Sequence, residues 1–168
     1  MREPVTAYLA LGANLGDAQA TVRAAIEAIA ASPGCRLRQR SSLYRTAPVD
    51  AAGPDYINAV VEIDTTLTAP SLLHLLQALE LQAGRERPYR NAPRTLDIDI
   101  LLFGDARMAS ASLELPHPRM WGRAFVLVPL AQIAPQRVSG GQLQAVADQA
   151  CERLPEARRQ PVLGDQAL

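Results

Sequence analysis

A chain of 168 residues can bury one sizeable core but is short for two ordinary domains, so a single domain over residues 1–168 is expected, with a tail frayed from about residue 161. Hydrophobic residues make up 48%, charged residues 20%, and the formal net charge is +0, which leaves no field to draw in nucleic acid or an anionic membrane from a distance. The 17 residues counted as Lys or Arg are all arginines, which excludes a phosphate-loop lysine and Schiff-base chemistry. Cys35 and Cys151 stand far apart with no companion at metal-ligand spacing and read as incidental thiols, and no apolar leader or membrane-length segment is visible, which points to the cytoplasm.

In chain order, residues 5–11 read as a strand and 12–16 as a turn, after which Asp17 offers an N-cap to a helix with Val22, Ile26 and Ile29 on one face, ended by Pro33-Gly34. Residues 35–44 predict a second strand, 46–54 a loop, and 56–66 a third strand. Thr68 caps a second helix with the stripe Leu72, Leu76, Leu79 and Ala83, closed by Gly84. An arginine-rich loop and a fourth strand follow, and residues 124–133 and 142–154 look like added helical segments. This order is an α/β (α+β) pattern: a ferredoxin-like βαββαβ core, an antiparallel-rich sheet with helices on one face and extra C-terminal elements.

The chemistry concentrates in residues 90–101. Period two along the fourth strand puts Asp97 and Asp99 on one face and Leu96, Ile98, Ile100 and Leu102 on the other, in the core. Upstream, Arg85, Arg87, Arg90 and Arg94 share a loop with Pro88 and Pro93. Arginine forks suit phosphate oxygens and paired aspartates suit a hard cation. Like charges in each group repel, and a ligand that brings both a cation and a polyanion relieves both costs.

At this segment the chain resembles the 6-hydroxymethyl-7,8-dihydropterin pyrophosphokinases of folate biosynthesis. The proline-arginine-x-leucine-aspartate-x-aspartate block at residues 93–99 carries most of the resemblance, joined in the family's order by residues 6–16, 42–46, 55–59, 80–85, Pro116-His117 and residues 129–135. The resemblance implies transfer of pyrophosphate from ATP to the hydroxymethyl oxygen of the pterin, with release of AMP, by a monomer that uses two Mg2+ ions and engages neither nucleic acid nor membrane. It implies that Asp97 and Asp99 hold the metal and that Arg85 and Arg94 act on the triphosphate in the reaction. By the same similarity Gln77, Glu80, Arg87, Arg90, Arg94, Ile100, Leu113, His117 and Arg123 bind ATP. Thr46, Ala47, Val49, Tyr56, Asn58, Asp97 and Phe125 would bind the pterin, with Tyr56 and Phe125 as its stacking pair. The chain departs from the family pattern at Asn91, where an aromatic often precedes the motif proline, and at Pro118, which replaces an aromatic after the motif histidine; Trp121 lies nearby. Two alternatives remain open at this point: a two-metal nucleotidyltransferase, which would release pyrophosphate, and a ferredoxin-like nucleic-acid-binding module.

Overall fold

The computed structural model describes residues 2–48, 53–84 and 96–156. The first strand, β1 (Val5–Ala13), is long and apolar and leads to α1 (Ala18–Ala30), where the Asp17 carboxylate accepts a hydrogen bond from the Ala20 N–H at 3.1 Å and so caps the helix. Val22, Ala25, Ile26 and Ile29 form its buried face.

The single strand expected over residues 35–44 is instead two, β2 (Cys35–Arg40) and β3 (Tyr44–Thr46). Ser41 interrupts it. Its hydroxyl accepts the Val60 N–H at 2.9 Å and donates to the Ser42 carbonyl at 2.7 Å, so a side chain takes over part of the ladder and the chain steps out of register. The Ser42 N–H turns to Gln132 Oε1 at 2.9 Å.

Strand β4 (Tyr56–Thr65) lies at the centre, and α2 (Ala69–Gly84) follows with Thr68 Oγ1 accepting from the Ser71 N–H at 3.2 Å. Then comes β5 (Asp97–Phe103). The sheet runs β5-β1-β4, with β4 pairing β2 along one part of its length and β3 along another, all antiparallel. Counting β2 and β3 as one interrupted strand gives the ferredoxin-like order: fourth, first, third, second.

Helices cover both faces, not the one expected. The helices α1 and α2 pack over Leu9, Leu11, Ala59, Val61 and Ile63, whereas α3 (Ala124–Ile133) packs over Tyr8, Val60, Leu101 and Leu102. Strand β4 accordingly turns Ile57, Ala59, Val61 and Ile63 toward α1 and α2 and Val60 toward α3. The alternation expected through Leu102 fails for a local reason. Tyr8 pairs Leu102 but Leu9 pairs Ile100, so Leu101 bulges out of the ladder. Leu96, Ile98 and Ile100 stay under α1 and α2, where Phe103 joins them, while Leu101 and Leu102 both turn toward α3.

Between β5 and α3 lie a two-stranded ribbon, β6 (Met108–Ala109) with β7 (Glu114–Leu115), a cis Leu115-Pro116 bond and a 3-10 turn over Met120–Gly122. The helical segment expected over residues 142–154 is corrected to the short α4 (Gly140–Ala145), held by a Ser139/Gln142 capping box, and a strand, β8 (Glu152–Arg153), that extends the sheet beyond β3. An extended end lets Leu154 donate its N–H to the Leu43 carbonyl at 2.9 Å and bury its side chain in the first core, while Arg153 Nε donates to Ser42 Oγ at 3.0 Å. Among the described residues no helix is long and apolar enough to cross a membrane.

The second core depends on a helix outside the six-element pattern, and this dependence is measurable. Leu127 on α3 is fully buried there. Leu127→Ala is expected to cost about 2–5 kcal/mol, read as a lower urea midpoint at unchanged slope. A change under about 0.5 kcal/mol would show that α3 adds no packing of consequence.

Candidate active site

A cavity of about 310 Å³ opens where β1 ends and β4 and β5 begin, beside the start of α3. Its position follows from the register. Gly12 in β1 pairs Asn58 of β4 on one side and Asp97 of β5 on the other, and directly paired residues of an antiparallel sheet point to the same face. Asp97, Gly12 and Asn58 therefore form one row, with a glycine in the middle leaving room between the two polar side chains. Asp99 lies two residues along β5 from Asp97 and lines the same cavity. Tyr56, two residues from Asn58, brings an aromatic ring, and Phe125 on the first turn of α3 brings another.

The electrostatics are local. Asp97 and Asp99 are both exposed at the cavity. His117 is tied to β5 by its N–H, which donates to the Leu101 carbonyl at 2.9 Å. Its ring Nδ1 accepts the Arg119 N–H at 3.1 Å, so the neutral ring carries its proton on Nε2, which stands 3.9 Å from Asp99 Oδ2. Burial holds the His117 pKa below the usual imidazole value; Asp99 pushes it up, and the Arg123 and Arg119 charges push it down. The Arg123 guanidinium lies over the Phe125 ring, 5.3 Å from its centroid, so one cation borders both the aromatic wall and the mouth.

The residues singled out in the sequence divide into four groups. Asp97, Asp99, Thr46, Ala47, Tyr56, Asn58, His117, Arg123 and Phe125 all line the cavity. Glu80 and Gln77 do not. Glu80 Oε2 accepts the Ile98 N–H at 2.8 Å and so grips the outer edge of β5 between the two aspartates, while Gln77 is exposed one turn earlier on α2. Ile100 and Leu113 turn their side chains into the first core, which leaves only main-chain groups for a nucleotide. Those of Ile100 share the outward direction of Ile98 by strand alternation, whereas those of Leu113 are engaged with Ser110, its N–H on Ser110 Oγ at 3.1 Å. Val49, Arg85, Arg87, Arg90 and Arg94 lie outside the described residues.

Gly12, Ala10, Leu101 and Val126 also line the cavity and were not singled out in the sequence. For Gly12 a signal existed, since a glycine inside a strand marks a close approach. A Cβ there would stand 3.0 Å from Asn58 Oδ1.

Among the described residues no group of three or more His, Cys, Asp or Glu side chains could enclose a metal ion. Two carboxylates on one strand face instead offer a few hard oxygen ligands with open places beside them, the donor set that magnesium shares with water and phosphate.

The family model described as 7,8-dihydro-6-hydroxymethylpterin-pyrophosphokinase (HPPK) matches residues 8–135. A 2-amino-4-hydroxy-6-hydroxymethyldihydropteridine pyrophosphokinase of Methylorubrum extorquens is 47% identical over 137 residues, covering 81% of this chain and 87% of that protein. A protein of the same name from Pseudomonas aeruginosa is 43% identical over 157 residues, covering 89% and 97%. Another, from Bacillus subtilis, is 42% identical over 146 residues, covering 85% and 86%. The wild-type HPPK-DHPS of Plasmodium falciparum, crystallised with pterin and p-hydroxybenzoate, superposes with a TM-score of 0.60 at 14% identity, a likeness of fold that covers 80% of this chain and 40% of that one. The chain thus spans about two fifths of that longer protein. It belongs to the 7,8-dihydro-6-hydroxymethylpterin-pyrophosphokinase family.

Proposed function

We propose that the chain transfers pyrophosphate from ATP to 6-hydroxymethyl-7,8-dihydropterin, giving AMP and the pterin diphosphate, a step of tetrahydrofolate biosynthesis. One observation supports this reading above the others: the cavity that holds the acidic pair Asp97 and Asp99 is the same cavity that is walled by Tyr56, Asn58 and Phe125. A site for a flat heterocycle with amide-like edges and a site for a metal-bound polyphosphate thus share one opening.

In this reading the hydroxymethyl oxygen loses its proton and bonds to the β-phosphorus of ATP, and the bond from that phosphorus to the oxygen of the α-phosphate breaks. Tyr56 and Phe125 hold the ring between them, Asn58 reads its edge, and Thr46, Ala47 and Val49 lend main-chain groups beside it. Asp97 and Asp99 would hold Mg2+, as two ions, and Asp97 also reaches toward the pterin. Bound magnesium supplies charge neutralisation at the phosphate oxygens. His117 presents its Nε2–H, and Arg123 its charge, toward the phosphates. Gln77, the main chain of Ile100, and Glu80 through its hold on β5 serve the nucleotide. Arg85, Arg87, Arg90 and Arg94 surround the triphosphate, where positioning and charge neutralisation do most of the work of phosphoryl transfer. The reading carries with it a cytoplasmic monomer.

The test is the identity of the products. Incubation with ATP, Mg2+ and the dihydropterin, followed by mass spectrometry, is expected to yield AMP and the pterin diphosphate in equal amounts. Free pyrophosphate with AMP joined to the acceptor would mean a nucleotidyltransferase, and unchanged ATP would leave a binding module.

A further inference from the structure

We infer that Thr46, through its hydroxyl, and Gly12, through the side chain it lacks, are positioning residues that hold the Asn58 amide in one of its two orientations and so decide which ring edge the cavity accepts. The inference rests on the pterin reading above. Asn58 is 5% exposed and Thr46 6% exposed, so both polar side chains are withdrawn from bulk water while lining the cavity.

Their placement follows from the sheet. In the β3–β4 pairing Tyr44 stands opposite Asn58 and Thr46 opposite Tyr56, so Thr46 is the diagonal neighbour of Asn58 on the same face. Asn58 Nδ2 donates to Thr46 Oγ1 at 2.7 Å. An amide carries two donors and two acceptor sites, and this bond uses one donor. Among the described residues Asn58 Oδ1 accepts no hydrogen bond, and neither does the second Nδ2–H find an acceptor. A buried polar side chain left half satisfied at the wall of a cavity is prepared for a ligand. Its remaining donor and acceptor, side by side, match the acceptor and donor of a lactam edge.

A hydroxyl can donate as well as accept, so Thr46 alone would pin the plane of the amide without choosing its direction. Gly12 makes the choice. Its missing Cβ would lie 3.0 Å from Asn58 Oδ1, a tight approach that would shift the oxygen by a few tenths of an ångström, so with glycine the oxygen rests in place facing a C–H of Gly12. An amide oxygen tolerates that neighbour as a weak acceptor, whereas a flipped amide would point an N–H donor at carbon.

Three variants test this with steady-state kinetics for each substrate. Thr46→Val, which keeps the shape and removes the hydroxyl, is expected to raise KM for the dihydropterin about tenfold, with kcat and KM for ATP changed less than about threefold. Thr46→Ser, which restores the hydroxyl, is expected to return the pterin KM to within about threefold of wild type. Gly12→Ala is expected to raise the pterin KM by about threefold or more, since the added Cβ makes Oδ1 give way by a few tenths of an ångström. An unchanged pterin KM in Thr46→Val, a Thr46→Ser variant as weak as Thr46→Val, or parallel losses for both substrates with a fall in Tm would each overturn the inference while leaving the proposed function standing. A wild-type protein that makes no pterin diphosphate would overturn the function and this inference together.

Discussion

Asp97→Ala and Asp99→Ala are each expected to lower turnover on the order of a thousandfold, because in the proposed reading each removes one of the two carboxylates that would hold a cation against polyphosphate charge. Both side chains are exposed on the cavity face of β5, while Leu96, Ile98 and Ile100 on the opposite face stay buried and untouched by the substitution. Glu80 still grips the Ile98 N–H between them. The Tm of either variant is therefore expected to shift by less than about 2 °C. Raising the Mg2+ concentration should restore part of the activity if the loss is one of metal affinity, and titration of activity against Mg2+ measures this directly. A Tm that falls in step with activity in both variants would make the pair structural carboxylates of a strand end.

What the sequence discloses and what it hides divides by distance along the chain. Asp17 caps α1, and α3 spans Ala124–Ile133 as its apolar run suggests, because caps and helical stripes are decided within a few residues. The break at Ser41 is decided by Val60, 19 residues away, and the β8 strand by Ser42 and Leu43 more than 100 residues before it, so neither leaves a local trace. The turn of Leu102 toward α3 needs only one bulged residue, and period two cannot see a bulge. In the site, the motif spacing places Asp97 and Asp99 together because two residues of one strand two apart always share a face. That Gly12 lies between Asp97 and Asn58 depends on a register across three strands. The side chains of Ile100 and Leu113 show the opposite limit: resemblance names a position without saying whether its side chain or its main chain is offered.

Arg94→Ala is expected to slow the chemical step about 10²–10³-fold while weakening ATP binding less than about tenfold, since charge on the bridging and leaving oxygens grows toward the transition state. Arg94 lies outside the described residues, yet its reach is bounded by the chain. It precedes Asp97 by three residues, and an extended chain spans at most about 3.6 Å per residue, so the two Cα atoms are within about 11 Å of each other. Arg94→Lys keeps the charge and loses the planar pair of donors, so it is expected to fall between wild type and Arg94→Ala. Single-turnover rates with enzyme in excess separate chemistry from product release, and equilibrium binding of a non-hydrolysable ATP analogue gives the affinity. If the affinity falls by the same factor as the single-turnover kcat/KM while the maximal single-turnover rate is unchanged, the arginine binds ground state and transition state alike and serves only to hold the nucleotide.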